Sequence, residues 1–106
     1  MIQLRKGHVA VIFVSRRTQS DPVGYARAAA EMEREVVNAP GYLGHDSVSS
    51  PEGQGITISY WEDEASVAAW RAHARHAEVR GEGRQHWYDW YRLVVADVTR
   101  AYDWRK

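Results

Sequence analysis

The first apolar run of the chain, HVAVIFVS at residues 8–15, is rich in β-branched residues. Such residues favour extended backbone, in which successive side chains point to opposite faces. The pattern therefore predicts a strand that is covered on both faces. Both alternating sets are apolar: Val9, Val11 and Phe13 form one, and Ala10, Ile12 and Val14 form the other.

The next segment carries apolar residues at helical spacing. Ser20 or Asp21 suits an N-cap, and Pro22 suits the first helical turn. The sequence NAPG at residues 38–41 ends the pattern. We therefore predict a helix over about residues 22–38. Its apolar stripe consists of Tyr25, Ala29, Met32 and Val36.

Two more strands follow, joined by the turn sequence PEGQG. The first is polar-leaning and is predicted over about residues 42–49, and the second, ITISYW, over about residues 55–61. Alternation divides the second strand into two faces. Ile56, Ile58 and Tyr60 lie on one face, and Thr57, Ser59 and Trp61 lie on the other.

The remainder of the chain predicts a second helix and a last strand. EDEASVAAW starts the helix, with acidic residues in the favourable first turn. We expect the helical region to run, with a break, to about Gln85, because Gly81 and Gly83 weaken its end. The sequence YRLVVADVTRAYDW predicts a strand over about residues 90–103.

The order β, α, β, β, α, β predicts one ferredoxin-like α+β domain over residues 1–106, with both helices on one face of an antiparallel sheet. The first strand is apolar on both faces and the last is nearly so. One chain of 106 residues cannot cover the second face. We therefore expect an obligate homodimer in which sheet packs against sheet.

Composition and charge limit the kinds of molecule that this chain can bind and the compartment in which we expect it. The formal net charge is +0, from 14 basic and 14 acidic residues, so no basic excess indicates nucleic-acid binding. No stretch is long enough to span a membrane, and the short run after Arg5 and Lys6 is better explained as a strand than as a signal peptide. The chain has no Cys, which excludes a thiolate zinc site and fits a reducing compartment. We expect a cytoplasmic protein.

Four stretches together resemble the antibiotic biosynthesis monooxygenase family. They are NAPGYLGHDSVSS, GITISYWED, SVAAWRAHARH and WYDWYRLVVADVTRAYDW, and the resemblance extends over about residues 8–104. It implies a dimeric α+β barrel. The family includes oxygenases of polyketide-derived aromatics that use no cofactor, and it also includes haem-degrading enzymes.

The resemblance to the haem-degrading branch is incomplete. That branch carries an Asn on the first strand and a Trp and a His in the second helical region. HAEVR, which begins at His76, is similar to the segment that holds the His, and Trp70 loosely matches the Trp. Ser15 stands where the Asn would fall. The resemblance therefore does not favour haem degradation.

The histidine pair in RAHARH has three interpretations. His73 and His76 are three residues apart and would be neighbours on a helix. They could bind a metal, with a third ligand from His45, His86 or Glu78. They could instead belong to a solvated face, since arginines surround His73. In the third interpretation one of them is a general base, because the pKa of histidine lies near neutrality.

The resemblance points to His76 as this base and to a pocket between the second helix and the sheet. It implies no flavin, metal or other cofactor, and a small aromatic or quinol-type substrate. A non-catalytic module that binds a small aromatic ligand is the alternative hypothesis. Trp70 also suits a core anchor, and Trp87 also suits a dimer contact. The candidate substrate contacts are Tyr60, Trp61, Trp70, His73 and Trp87.

Overall fold

The computed structural model describes residues 2–73, 81 and 86–106. It contains four strands and two helices in the predicted order. The strands are β1 (Val9–Arg17), β2 (Tyr42–Ser49), β3 (Gln54–Trp61) and β4 (Tyr88–Asp97), and the helices are α1 (Pro22–Val36) and α2 (Glu64–Ala72).

The sheet is antiparallel throughout, with the strand order β2-β3-β1-β4. This is the ferredoxin-like α+β arrangement predicted from the element order. β1 and β3 lie in the centre, where each has neighbours on both sides. Among the described residues, no helix is long and apolar enough to cross a membrane.

One face of the sheet carries the helices and the core. Val9, Trp61 and Val67 form the buried cluster, and Trp70 of α2 packs against it. Val9 lies directly opposite Trp61 in the β1–β3 ladder, so strand pairing places these two side chains on the same face. Further side chains that pack on the cluster are Val11, Val36, Ala39 and Tyr42.

The other face, which we call the open face, is apolar and partly exposed. Its members follow from the strand register and from the alternation of side chains along each strand. None of them reaches full burial. Its apolar members are Ala10, Ile12, Val14, Val48, Ile56, Ile58, Tyr60, Val94 and Ala96, and the charged residues Asp46 and Arg92 lie on the same face.

The last strand ends earlier than the sequence predicted. β4 stops at Asp97, whereas the prediction extended to about residue 103. Val98 still pairs outside the strand, since its N–H donates to the His8 carbonyl at 2.8 Å. Gly7, with φ of 98°, then turns the chain away. Beyond that point β1 offers β4 no further residues to pair with. The apolar pattern of β4 alone could not reveal this limit.

Gly41 connects α1 to β2 and is expected to tolerate no side chain. Its φ is 84°, and a Cβ there would overlap Ser66 Oγ, which is held by a hydrogen bond to Asp63. Gly7 has a similar φ of 98° but open space around its Cα. Gly7→Ala should therefore lower the free energy of unfolding only through backbone strain, by about 1 kcal/mol. Gly41→Ala should lower it by about 1–3 kcal/mol more, because the added Cβ overpacks the site. Urea unfolding at one protein concentration measures both, and equal losses would contradict the overlap.

Candidate functional site

A line of aromatic rings runs from the core to the surface at one end of the sheet. Tyr42 meets Trp61 edge-on with ring centroids 5.4 Å apart, and Trp61 meets Trp70 at 6.2 Å. Trp70 then stacks on the exposed ring of His73 at 5.4 Å, with the two planes 26° apart. Three of the predicted site residues, Trp61, Trp70 and His73, are thus brought together.

The geometry of α2 explains where Trp70 and His73 lie. Asp63 caps the helix, because its Oδ1 accepts hydrogen bonds from the Ser66 N–H at 2.8 Å and from Ser66 Oγ at 2.7 Å. These bonds favour the charged carboxylate and lower the pKa of Asp63. Val67 and Trp70 are three residues apart and therefore share the buried side of the helix.

The end of α2 places His73 beside the tryptophan. His73 is the C-cap, and its backbone N–H donates to the Trp70 carbonyl at 3.1 Å. With ψ of 127° the chain leaves the helical conformation at this residue. The second helical region therefore breaks at residue 73, and the predicted continuation to about Gln85 falls largely outside the described residues.

A cleft of about 320 Å³ opens between the end of α1 and α2. We call it the α1–α2 cleft. This volume is at the lower end of the range typical of small-ligand sites. Glu35 Oε2, on the α1 side, is buried and has no hydrogen-bond partner. The lining residues are Glu35, Asn38, Ala39, Pro40, Ser66, Ala69, Trp70 and His73.

The cleft presents an aromatic ring and several polar groups to a possible ligand. The indole of Trp70 offers a ring against which another ring can stack. His73 contributes an imidazole, which can donate or accept a hydrogen bond according to its protonation state. The free oxygen of Glu35 is an acceptor that a hydroxyl or amine could satisfy if the carboxylate turned toward the cleft.

Tyr60, another predicted contact, lies on the opposite face of the sheet from Trp61, its neighbour in sequence. Its hydroxyl donates to Asp46 Oδ2 at 2.8 Å across the open face. The pKa of Tyr60 is raised, first by burial and then by this hydrogen bond and the charges of Asp46 and Asp103. Tyr60 therefore does not contact the α1–α2 cleft.

Trp87 is buried in a second aromatic cluster near the start of α1. Its ring meets Tyr25 edge-on at 5.9 Å, and its indole N–H points to Asp21 Oδ2 at a long 3.5 Å. Tyr25 also meets Tyr88, and burial is the main reason why the pKa of Tyr88 is raised. Arg17 lies over the Tyr25 ring at 4.2 Å. Trp87 is thus held by contacts within its own chain.

His76, the predicted base, lies outside the described residues, as does Glu78. The two other histidines that the metal hypothesis considered are separate in the fold. His45 contacts the Tyr42 hydroxyl and lies 4.0 Å from Glu33, while the carbonyl of His86 accepts a hydrogen bond from Thr18. Within residues 2–73, 81 and 86–106, no group of three potential ligands could hold a metal ion.

Sequence reasoning missed the α1 side of the cleft. Glu35 and Asn38 are polar residues near a helix end, and no periodic pattern distinguishes them from solvated positions. The one available signal was the helix stop NAPG, which turns the chain close to the start of α2. Gly41 and Ser66 show that proximity in the structure.

Comparison with known proteins gives a consistent assignment. Residues 23–82 match the sequence profile described as antibiotic biosynthesis monooxygenase. The uncharacterized protein YqjZ of Bacillus subtilis is 39% identical over 88% of this chain and 81% of its own length. A jasmonate monooxygenase of Pyricularia oryzae is 33% identical over 87% of this chain, which spans only 44% of that relative.

Solved structures agree on the fold. SnoaB, a cofactor-independent oxygenase from Streptomyces nogalater, superposes with a TM-score of 0.69 over 88% of this chain and 96% of its own, at 15% identity. A protein from Shewanella oneidensis superposes with a TM-score of 0.78 over 95% of this chain and all of its own, at 8% identity. The family profile, the YqjZ similarity and the βαββαβ sheet together show that the chain belongs to the antibiotic biosynthesis monooxygenase family.

Proposed function

We propose that this chain is a monooxygenase that oxidises a small aromatic or quinol-type compound without flavin or metal. The observation that carries the proposal is the stacked Trp70–His73 pair on the wall of the α1–α2 cleft, in a chain of this family. The cleft offers an aromatic wall for a flat substrate and polar groups at its margin.

The substrate itself is the reductant in this reaction. A base removes a proton from an activated methylene or phenol, and the resulting anion transfers electrons to oxygen. For a methylene, the carbon takes up oxygen as a hydroperoxide, which then loses water to give a carbonyl. One oxygen atom stays on the substrate, and the other leaves as water with the two hydrogens of the methylene. The protein supplies orientation, a proton acceptor and exclusion of water.

We assign the proton acceptor to His76 and the ring contact to Trp70. His76 follows His73 by three residues, and His73 already lines the cleft. Trp61 stands behind Trp70 in the core and fixes its position. His73 lies at the exposed margin, where it can contact a substituent of the bound ring.

We also assign a homodimer, formed through the open face. The face is mostly apolar, with Asp46 and Arg92 as charged members, and its apolar side chains stay partly exposed in one chain. Packing two such faces is the usual arrangement of stacked sheets, which lie about 10 Å apart.

Oxygen uptake tests the proposed activity. The protein is mixed with a panel of hydroquinones and anthrones, and heat-unfolded protein controls for spontaneous oxidation. We expect at least one compound to consume oxygen faster with folded protein, with one O₂ used for each methylene converted to a carbonyl. Tight binding of a panel member without uptake would instead support a binding module and would contradict the monooxygenase.

A further inference from the structure

Three aromatic side chains form a continuous path from the α1–α2 cleft to the surface of β2. Trp70 lines the cleft, Trp61 lies behind it in the core, and Tyr42 contacts the ring of Trp61. The ring centroids are 6.2 Å apart for Trp70 and Trp61 and 5.4 Å apart for Trp61 and Tyr42, so each pair is in direct ring contact. We call these three residues the aromatic path.

A β-bulge in β2 brings an imidazole to the outer end of this path. Tyr42 and Gly44 pair with consecutive residues of β3, so Leu43 is an extra residue in the ladder. In a regular strand, residues three apart point to opposite faces, but the extra residue turns His45 to the same face as Tyr42. The Tyr42 hydroxyl and His45 Nδ1 are 2.5 Å apart as a result.

The surroundings of this hydrogen bond suit the transfer of a proton from Tyr42 to His45. Glu33 Oε1 lies 4.0 Å from His45 Nε2, on the far side of the imidazole. A negative charge there favours the tautomer with its proton on Nε2, which leaves Nδ1 to accept the phenolic hydrogen. Burial and then the charge of Glu33 raise the pKa of Tyr42, so the phenol keeps its proton at neutral pH.

The loss of one electron from the phenol reverses this preference, because an oxidised phenol is a strong acid. Trp and Tyr are the side chains that give up single electrons most readily in a chain without Cys. Electrons pass between rings in contact much faster than across aliphatic side chains or water. The aromatic path therefore connects the cleft to a tyrosine that can release an electron and a proton together.

We propose that the aromatic path carries oxidising equivalents out of the α1–α2 cleft to Tyr42, and that His45 accepts the proton of Tyr42. The inference rests on the proposed oxygenase reaction, which supplies the oxidant. When oxygen adds to a substrate radical in the cleft, a substrate peroxyl radical forms. If this radical is not reduced at once, it attacks the side chains around it, and the path gives it an electron instead.

Each step of the transfer moves one electron. Trp70 reduces the peroxyl radical to a hydroperoxide anion, Trp61 then reduces Trp70, and Tyr42 reduces Trp61. The O–H bond of Tyr42 breaks, its proton moves to His45 Nδ1, and a neutral tyrosyl radical remains. A soluble one-electron reductant such as ascorbate returns the electron at the surface, and His45 returns the proton.

Flash photolysis with a tethered oxidant tests the path without any substrate. The chain has no Cys, so Ala69→Cys creates a single thiol at an exposed position of the cleft wall, to which a ruthenium polypyridyl complex is attached. A flash in the presence of an electron acceptor then generates ruthenium(III) next to Trp70. We expect electron paramagnetic resonance to detect a tyrosyl radical, and Tyr42→Phe should replace it with a tryptophanyl radical.

Two further variants of the labelled protein test the relay and the proton acceptor separately. Trp61→Phe should abolish the tyrosyl signal, because phenylalanine is too hard to oxidise to act as the middle ring. His45→Gln keeps a polar side chain but removes the base, so the yield of tyrosyl radical should fall.

Tyr25→Phe is the matched control. Tyr25 is half-buried and contacts a tryptophan, as Tyr42 does, but its hydroxyl is hydrogen-bonded to Tyr88 and not to a histidine. The tyrosyl signal should be the same as in the labelled parent. A far-UV spectrum identical to that of the parent confirms that each variant folds.

The results that would overturn the proposal are distinct. A parent without a tyrosyl signal, a signal that survives Tyr42→Phe, or one that is unchanged in Trp61→Phe would show that the path does not operate. An unchanged yield in His45→Gln would show that His45 is not the proton acceptor. Because no turnover is needed, failure of the path is separate from failure of the monooxygenase, which the oxygen-uptake assay alone detects.

Discussion

His76→Ala is expected to lower the rate of substrate oxidation by about 10²- to 10⁴-fold, the usual contribution of a general base. The proposed reaction begins with proton removal, and without a positioned acceptor only water remains to take that proton. If the role of His76 is chemical, the free energy of unfolding should change by no more than about 1 kcal/mol. Initial oxygen-uptake rates across a substrate titration give kcat and KM separately.

His73→Ala is the matched control, because it removes an imidazole three residues away. His73 is exposed and stacks on Trp70, so its loss should affect KM more than kcat. A base must be deprotonated to act, so the wild-type rate should fall at acid pH, and this acid limb should disappear in His76→Ala. Equal kcat values in the two variants would show that His76 is not the base of the reaction.

The fold could be predicted because its elements have distinct hydrophobic periods. The alternation at residues 8–15 became β1, and the stripe that ends at Val36 became α1. The predicted strand at residues 42–49 matches β2 residue for residue. These features depend on local pattern and on turn residues, which are both visible in one sequence.

The limits of the elements and the geometry of the site depend on contacts between distant residues. β4 ends at Asp97 because β1 begins at Val9, its partner across the ladder. Trp61 and Tyr60 are adjacent in sequence and yet face opposite sides of the sheet, so one pocket cannot readily use both. The α1–α2 cleft joins Glu35 to Trp70, and no spacing along the chain indicates that pair.

Trp61→Ala is expected to produce the largest loss of stability among the substitutions considered. Trp61 is only 1% exposed and is the largest fully buried side chain among the described residues. Its ring contacts Tyr42 and Trp70, and its indole N–H donates to Ser59 Oγ at 2.9 Å. Truncation of a buried Trp to Ala costs about 3–5 kcal/mol. Chemical unfolding at a fixed protein concentration measures this loss.

Trp61→Phe separates the packing of the ring from its hydrogen bond. Phe keeps most of the apolar contact with Trp70 but leaves Ser59 Oγ without the indole donor, so the loss of stability should be smaller, about 1–2 kcal/mol.

The same pair of variants, Trp61→Ala and Trp61→Phe, tests the site. Because Trp70 rests on Trp61, the alanine variant should also weaken substrate binding, while the phenylalanine variant should largely retain it. An alanine variant that loses less than about 1 kcal/mol, a value ordinary for a surface position, would show that Trp61 does not anchor the core, and Trp70 would lose the rigid support assigned to it.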